Sequence, residues 1–216
     1  SNEFQKAYGN PLLRPNITES YELSFQKHFE KGMFSSQAFL RTTNDAFTQV
    51  IGSDEEGIMI LTFDNISDDK EFGIENMVNL QAAKWWSLNA SFNVMGQNSK
   101  GTMNDENFDR SAFTFDTRLI NSFAIGENTS AQLMAFYFHD RIGNSIGNVS
   151  RFYWVDASIQ HNFFNQRLAV TLQAKDIFNT NQIKFDINRS DYRFKIHQKP
   201  EYPTIMLNVS YKFNNY

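Results

Sequence analysis

The sequence predicts an all-β protein whose strands form an antiparallel up-and-down meander of about 9–11 strands. Two observations favour this fold class. Apolar and polar residues alternate with a period of two along most of the chain, which is the spacing of side chains on the two faces of a strand. Predicted short turns also alternate with long polar loops, which makes neighbouring strands antiparallel. The pattern indicates no helix, and residues 1–216 are expected to form a single domain.

Several of the predicted strands alternate less regularly than the others. Weaker alternation predicts strands at about residues 17–29, 33–47, 70–82, 110–123 and 129–141. A short hairpin of 46–51 and 58–63 is expected around the Gly52–Gly57 turn, because this turn is rich in Gly, Ser and Asp. The clearest strand runs from Trp85 to Met95. Its apolar set is Trp86, Leu88, Ala90, Phe92 and Val94, which alternates with Ser87, Asn89, Ser91 and Asn93.

The last three strands repeat this pattern. Near residue 157 the apolar residues are Val155, Ala157 and Ile159, opposed by Asp156, Ser158, Gln160 and Asn162. The next strand has Leu168, Val170, Leu172 and Ala174 on one face and Ala169, Thr171 and Gln173 on the other. The final strand alternates Ile205, Leu207, Val209, Tyr211 and Phe213 with Thr204, Met206, Asn208, Ser210 and Lys212. We therefore expect each strand to have one apolar and one wet face.

The connections predict which strand ends lie together. Short turns are predicted near residues 30–32, 83–85, 124–129 and 164–167. Long polar loops are predicted near residues 97–109, 142–150 and 178–202. In the last loop, Ile183, Phe185 and Ile187 alternate with Lys184 and Asp186, which indicates a strand-like extension. The loops are expected at the end opposite the short turns.

The number of strands raises the question of closure. Nine main strands place the first and the last in the same direction, whereas antiparallel closure of a barrel needs an even number. A tenth strand from residues 3–8 would solve this, because Phe4, Lys6 and Tyr8 share a face and Gly9 begins a bend. The sequence therefore predicts a small ten-strand barrel or a strongly curled sheet. Parallel closure and pairing with another chain are the alternatives.

Large aromatic residues collect at the predicted short turns. They are Phe29, Phe34, Trp85, Trp86, Phe123, Phe163, Phe164, Tyr211 and Phe213. In outer-membrane barrels such a girdle marks the membrane–water interface on the periplasmic side. From Trp86 to Val94 the strand covers ~26 Å, or about 19 Å when tilted by ~45°, close to the ~25 Å apolar band of these barrels. The pattern thus favours a transmembrane β-barrel.

Composition excludes several other classes. Hydrophobic residues make up 41% and charged residues 20%, so the chain is not a charge-dominated disordered protein. The net charge of −4 argues against nucleic-acid binding. The lack of cysteine excludes disulfides, thiolate catalysis and cysteine zinc sites. Ser1-Asn2, without an initiator Met or signal peptide, is interpreted as a cloning remnant on a mature or truncated chain.

Several short motifs then resemble those of TonB-dependent outer-membrane receptors. The N-terminal match is Gly9-Asn10-Pro11-Leu12-Leu13-Arg14-Pro15 followed by Tyr21-Glu22-Leu23. Further matches are Asp64-Asn65-Ile66 with Gly73-Ile74-Glu75, Lys84-Trp85-Trp86-Ser87-Leu88-Asn89-Ala90-Ser91, Asp176-Ile177-Phe178-Asn179-Thr180 and Ser210-Tyr211-Lys212-Phe213. Asp64 departs from the family's usual Glu. The order and spacing of the motifs resemble the Bacteroidetes-type outer-membrane β-barrel branch.

The resemblance implies a location in the bacterial outer membrane and a role in transport. A complete receptor of this family has a plug domain and a barrel of about 22 strands. The 216 residues contain no segment that resembles a plug or a TonB-contacting box, so we expect the C-terminal part of such a barrel. The implied activity is uptake of a metal chelate, cobalamin, glycan or peptide. The implied partners are outer-membrane lipid, TonB, the receptor's own plug and a surface lipoprotein.

The residues that could carry chemistry do not have the spacing of known sites. The histidines are His28, His139, His161 and His197, whose spacing does not match a metal site. The acidic clusters are Asp54-Glu55-Glu56, Asp68-Asp69, and Asp105 with Glu106 and Asp109, and none has the spacing of a calcium loop. Gly143–Gly147 is not followed by a helix, as a phosphate-binding loop would be. Ser158 and Asp156 do not indicate a hydrolase. We therefore expect no enzyme, cofactor or metal.

The wet face offers the remaining candidates. Glu75, Asp156 and Lys175 would line a barrel lumen and help to hold a plug, or would simply be hydrated residues of a sheet. The ligand and its contact residues are not identified. The alternative function is a secreted soluble β-sandwich of the carbohydrate-binding type, which would bury its apolar face under a second sheet. A barrel would instead expose that face to lipid.

Overall fold

The computed structural model describes residues 5–53, 56–103, 106–143, 147–188, 193–200 and 203–213. The strands in the first half are β1 Gln5–Ala7, β2 Ile17–Phe29, β3 Gly32–Ser53, β4 Met59–Ala83, β5 Trp86–Met103 and β6 Glu106–Ile125. Those in the second half are β7 Thr129–Phe138, β8 Arg141–Gly143, β9 Gly147–Val149, β10 Phe152–Phe163, β11 Leu168–Lys175, β12 Ile183–Asn188, β13 Arg193–Gln198 and β14 Thr204–Tyr211. The described residues form no helix, in agreement with the predicted all-β class.

The main sheet is the predicted antiparallel meander. Its nine neighbouring strands lie in the order β14-β11-β10-β7-β6-β5-β4-β3-β2. The four predicted short turns are present and join β2 to β3, β4 to β5, β6 to β7, and β10 to β11. All four lie at one end of the sheet, which we call the short-turn end. At the far end the chain continues into longer strands and loops.

The far end contains more strand than the sequence predicted. Residues 97–109 were expected to form a loop, but β5 and β6 remain paired from Trp86–Phe123 up to Met103–Glu106. Likewise, 46–51 and 58–63 are not a separate hairpin, because they are the outer ends of β3 and β4, paired up to Ser53–Met59. In the sequence, a strand segment with polar residues on both faces cannot be distinguished from a polar loop. In a strand that extends beyond the membrane, however, both faces contact water.

A second sheet of four strands forms from the other two predicted loops. Its order is β13-β12-β9-β8, so segments 142–150 and 178–202 both contain strands where loops were expected. The predicted strand-like extension at Ile183 is confirmed, since β12 pairs with β13 and with β9. Residues 54–55, 104–105, 144–146, 189–192 and 201–202 of the predicted loops and turns lie outside the described residues.

The prediction of a tenth strand that closes the barrel is wrong. The predicted segment 3–8 does contain a strand, β1, but Gln5–Ala7 pair in parallel with Met59–Leu61 of β4. The edge of β4 at Met59–Leu61 is available to β1, because β5 pairs with β4 only from Ser67 onwards. Within the described residues, β2 and β14 each pair on one side only, and the sheet is open.

The part of the chain that the structure describes has almost no interior. Among the described residues only Phe39, Ala46 and Ile66 are buried apolar residues. The surface area is 14638 Å², whereas a compact monomer of 25.1 kDa should expose about 10,000 Å². An extra ~4,000 Å² of surface is what a single-layered sheet leaves uncovered. A two-sheet sandwich would have enclosed this surface, so the fold does not favour the soluble alternative.

Candidate functional site

One face of the main sheet is apolar and uncovered. Six residues were predicted to point away from the polar face, namely Trp86, Leu88, Phe92, Ile205, Leu207 and Val209. In the structure, Ile205 is 75% exposed, Leu207 65% and Phe92 48%; Val209 is also exposed, and Trp86 and Leu88 are partly exposed. The register places Leu207 beside Leu172 and Leu172 beside Ile159. The apolar face therefore extends unbroken across neighbouring strands.

Aromatic rings line this face at the short-turn end. Trp85, Trp86 and Phe123 stack pairwise across two adjacent turns, with ring centroids 6.2–6.4 Å apart. Tyr211 and Phe213 meet edge to face at 4.9 Å. We call the set of rings that the sequence analysis placed at the short turns the lower belt. Several rings of the predicted girdle thus contact one another and give this edge an amphipathic rim.

A second group of rings lies on the same face toward the far end. Phe115 stacks on Tyr137 at 5.4 Å and on His139 at 4.7 Å, and Tyr137 pairs with Tyr153 of β10. From Tyr153 to Phe163 in the lower belt, β10 advances ten residues. This is ~33 Å along the strand, or about 25 Å if the strand is tilted by ~40°. The two groups of rings are therefore separated by the thickness of the apolar band of an outer-membrane protein.

The opposite face carries hydrogen-bonded polar residues. The Glu22 carboxylate accepts hydrogen bonds from Gln37 at 2.9 Å and from Arg41 at 3.3 Å. Asn93 donates to Asp116 at 3.0 Å. These residues belong to β2, β3, β5 and β6, so polar side chains link neighbouring strands in this half of the sheet.

A small cleft lies on this polar face. It has a volume of about 200 Å³ and is lined by residues including Phe39, Arg41, Glu71, Glu75 and Arg141. Phe39 is buried because Gly73 opposite it has no side chain, and a Cβ at Gly73 would come within 3.0 Å of the Phe39 ring. The Arg41 guanidinium lies 4.5 Å from the centre of that ring. The cleft therefore combines an aromatic floor with charges of both signs.

The polar face also has an aromatic patch that the sequence analysis missed. Phe136, Phe138, Phe152 and Trp154 form this inner aromatic cluster. Phe136 and Trp154 are 4.3 Å apart, and Phe138 and Phe152 are 5.1 Å apart. Arg118 lies 5.7 Å over Phe136. The available signal was that Phe136-Tyr137-Phe138 and Phe152-Tyr153-Trp154 place aromatic residues on both faces, where other strands have polar ones.

Comparison with known families decides what this two-faced sheet is. A family model described as the outer membrane protein beta-barrel family matches residues 1–211. The chain belongs to this family. The search of curated proteins and the search of solved structures gave no match. Among the described residues, no helix is long and apolar enough to cross a membrane.

Membership of the outer-membrane barrel family assigns the two faces. The protein is located in the bacterial outer membrane, its apolar face contacts lipid and its polar face lines the barrel interior. Because short turns lie on the periplasmic side of such barrels, the lower belt marks the periplasmic interface. The cleft and the inner aromatic cluster therefore face the interior, and the four-stranded sheet belongs to the extracellular end.

The motif around Gly9–Pro15 has a clear structural role in this barrel. Arg14 binds the Asp45 carboxylate at 2.6 Å, and its backbone N–H donates to the Asn65 side chain at 2.8 Å. The Asn65 amide in turn donates to the carbonyl oxygens of Arg14 and Asp45. Asp45 has a φ of 53° at a bulge between β3 and β4. The motif thus fastens the N-terminal segment across the β3–β4 ribbon at its strained point.

The motif that begins at Asp176 forms a tight turn. Asp176 is 2% exposed, and its carboxylate accepts hydrogen bonds from the backbone N–H groups of Thr180 at 2.9 Å and Asn181 at 3.1 Å. Its own backbone N–H donates to Asp156 at 2.8 Å. Asp156, a candidate for lining the interior, therefore helps to fix where β11 ends. Buried polar groups satisfied in this way hold one geometry.

The other candidate residues are dispersed. His28 contacts Gln26, His139 contacts Tyr137, His161 contacts Thr129, and His197 contacts Gln182. Asp68 accepts a hydrogen bond from the backbone of Asp45, and Asp109 forms an ion pair with Lys100. In the described part of the chain, no three His, Asp or Glu residues are grouped to hold a metal ion. Glu75 lines the interior cleft.

Proposed function

We propose that this barrel protein is a TonB-dependent receptor that imports a scarce nutrient, and that the present chain supplies strands and extracellular loops of its barrel. The observation that carries the proposal is the set of receptor-like motifs. The Gly9–Pro15 motif and the Asn65 motif bind each other at the bulge, and the Asp176 motif forms a closed turn. Receptor-like motifs that are distant in sequence thus contact each other in the fold, as expected if they belong to one receptor barrel.

The polar face gives a second line of support. A passive pore needs a hydrated channel, whereas a receptor must hold a plug and contact a ligand. The inner aromatic cluster and the cleft beside Phe39 and Arg41 offer ring faces and charges directed to the interior. Such groups bind a folded plug or a solute more favourably than they bind free water. TonB, the receptor's plug and a surface lipoprotein are the proposed partners.

The open sheet supports the same function. β2 and β14 run in the same direction and are separated by seven strands in the sheet order. Further strands between them would complete a large antiparallel barrel, which is the size that accommodates a plug. The nutrient class is proposed to be a metal chelate, cobalamin, a glycan or a peptide.

The test is genetic and uses the complete gene in its own bacterium. A deletion strain is grown with one limiting nutrient at a time: a ferric chelate, cobalamin, a glycan or a peptide. We expect loss of growth on one of them, restoration by the intact gene, and the same loss when TonB is deleted. A transport defect that does not depend on TonB would refute the proposal and indicate a passive pore.

A matched pair of variants connects the phenotype to the polar face. Trp154 and its neighbour Tyr153 point to opposite sides of β10, because side chains alternate along a strand. Trp154→Ala should reduce uptake severalfold, whereas Tyr153→Ala should leave uptake of the folded protein unchanged. The amount of assembled barrel in the outer membrane, measured by its altered migration before and after boiling, is the control for both. Equal effects of the two changes would contradict a role for the inner aromatic cluster.

A further inference from the structure

The four rings of the inner aromatic cluster are closely spaced and aligned. Phe138 and Phe152 are register partners on β7 and β10, and so are Phe136 and Trp154. The ring positions are therefore about 5 Å apart across the strands and about 7 Å apart along them. The planes of Phe152 and Trp154 differ by only 7°. The other close pairs are inclined by 29°, 33° and 40°, so none of these pairs meets edge to face.

The rings of this cluster remain accessible from the barrel interior. Although they contact one another, all four side chains stay partly exposed. A contiguous apolar patch that is exposed to water is unfavourable, and such a patch marks a binding site. The cluster lies at the outer boundary of the apolar band, because Trp154 directly follows Tyr153 on β10. A solute that enters from the extracellular side therefore meets these rings before it meets the periplasmic half of the interior.

Hydrogen-bonding groups border the rings on the neighbouring strand. The register places Asp116 of β6 opposite Phe138 and Arg118 opposite Phe136. The Arg118 guanidinium lies 5.7 Å over the Phe136 ring, and it has no ion pair or hydrogen bond within the described residues. Asn93 donates to Oδ2 of Asp116, while Oδ1 accepts no hydrogen bond from the part of the chain that the structure describes. The rings are therefore combined with available donors and an available acceptor.

The charges around the cluster nearly balance. Asp156 lies on the same face of β10 as Trp154, two residues further along the strand. On the other side, Phe138 and Asp116 also line the interior cleft. The charged groups of the cluster and the cleft are the carboxylates of Glu71, Glu75, Asp116 and Asp156 and the guanidinium groups of Arg41, Arg118 and Arg141. A strongly anionic ligand, such as a negatively charged ferric chelate, would need an excess of positive charge.

We propose that the inner aromatic cluster binds a neutral glycan; this inference rests on the proposed uptake function and selects one of its four nutrient classes. A sugar ring has an apolar face of C–H groups and a rim of hydroxyl groups that donate and accept hydrogen bonds. The apolar face packs against the rings of Phe152 and Trp154, and the hydroxyl groups meet Arg118 and Asp116. An oligosaccharide repeats this unit, so it contacts several rings and continues into the cleft beside Phe138.

The test measures sugar binding to the purified full-length protein by calorimetry, in a detergent without a sugar headgroup. The probes are linear hexasaccharides of glucose, mannose, galactose and xylose. A ferric catecholate chelate, cobalamin and a tripeptide serve as competitors. We expect at least one hexasaccharide to bind and none of the competitors to displace it. The absence of binding by all four hexasaccharides, or displacement of the bound sugar by a competitor, would overturn the proposal.

Matched variants assign the binding to the rings of the polar face. Trp154→Leu keeps an apolar side chain but removes the ring, so it should weaken binding about tenfold, whereas Trp154→Phe should retain most of the affinity. Tyr153→Leu removes a ring from the lipid face and should leave the affinity unchanged. Equal weakening by Trp154→Leu and Tyr153→Leu, or unchanged binding by Trp154→Leu, would contradict the site. If Trp154→Leu does not assemble, Phe136→Leu with Tyr137→Leu as its control makes the same comparison on β7.

Arg118→Gln separates recognition of hydroxyl groups from recognition of charge. Glutamine keeps hydrogen-bond donors and removes the positive charge, so the affinity for the hexasaccharide should stay within about fivefold. A larger loss would indicate an ionic contact and would refute a neutral ligand.

The binding assay contains no TonB, so its outcome is independent of the test of the receptor function. Sugar binding together with TonB-independent uptake would retain the glycan site and refute the receptor. TonB-dependent uptake without sugar binding would retain the receptor and refute the glycan site.

Discussion

Replacing Leu172 with arginine tests the assignment of the apolar face most directly. Leu172 is 47% exposed and lies opposite Ile159, which is four residues before Phe163 of the lower belt. That distance is ~13 Å along the strand and ~10 Å in depth at a tilt of ~40°, so Leu172 lies near the middle of the ~25 Å apolar band. Arginine at that depth costs about 2–4 kcal/mol. The equilibrium constant for folding should therefore fall by about 30-fold to 900-fold.

The measurement is urea unfolding of the full-length protein in lipid vesicles. Gln173→Arg is the matched control, because Gln173 lies next to Leu172 but points to the polar face; its cost should stay within about 0.5 kcal/mol. On a soluble protein, exposed Leu172 would accept arginine at no greater cost than Gln173, which is less exposed. If Leu172→Arg proves as harmless as Gln173→Arg, or if the order is reversed, the apolar face does not contact lipid.

Asp176→Ala should lower the free energy of unfolding by about 2–3 kcal/mol, because buried donors in the turn lose their charged acceptor. Urea unfolding in vesicles measures this change. A loss below about 0.5 kcal/mol would contradict the role of the turn. The hydrogen bonds from Lys100 and then Asn98 hold the pKa of Asp109 below its usual range. The stability that these hydrogen bonds provide is present above the pKa of Asp109 in the unfolded chain and is lost as the pH falls through its pKa in the folded protein. Lys100→Met should therefore raise the pKa of Asp109, as measured by NMR titration. An unchanged pKa would refute the pairing of Lys100 with Asp109. Deleting residues 183–197 should reduce nutrient uptake and leave barrel assembly intact, whereas loss of assembly would make the extension structural.

The strands and short turns could be predicted from sequence because lipid and water impose opposite demands on the two faces. Around Trp86–Val94 and Ile205–Val209 the alternation is strict, and the structure places strands there. The same reasoning failed at 97–109, where β5 and β6 continue beyond the membrane. Since both faces contact water there, alternation is lost although the strand persists. The outer boundary of the apolar band was thus mistaken for the end of the strands.

The interior surface could be predicted less well. The polar face was recognised, but the inner aromatic cluster was missed, because Phe136 and Trp154 break the alternation rather than follow it. The role of Asn65 was also hidden in sequence, since its partners Arg14 and Asp45 are 51 and 20 residues away. The predicted tenth strand was wrong for a related reason. Its apolar pattern indicated a strand, but the choice of β4 as the partner depends on where β5 stops.

The fastening of the N-terminal segment has a consequence for the order in which the chain folds. The short turns of the meander join neighbouring strands through a few residues, so those hairpin loops close at little entropic cost. The contacts of Asn10 and Arg14 join residues 51 to 54 positions apart, and their binding site exists only once the β3–β4 bulge has formed. We therefore expect residues 5–14 to dock after the third and fourth strands have paired. The earliest residues of the chain would then be among the last to become ordered, and their protection from hydrogen exchange would report the completion of folding.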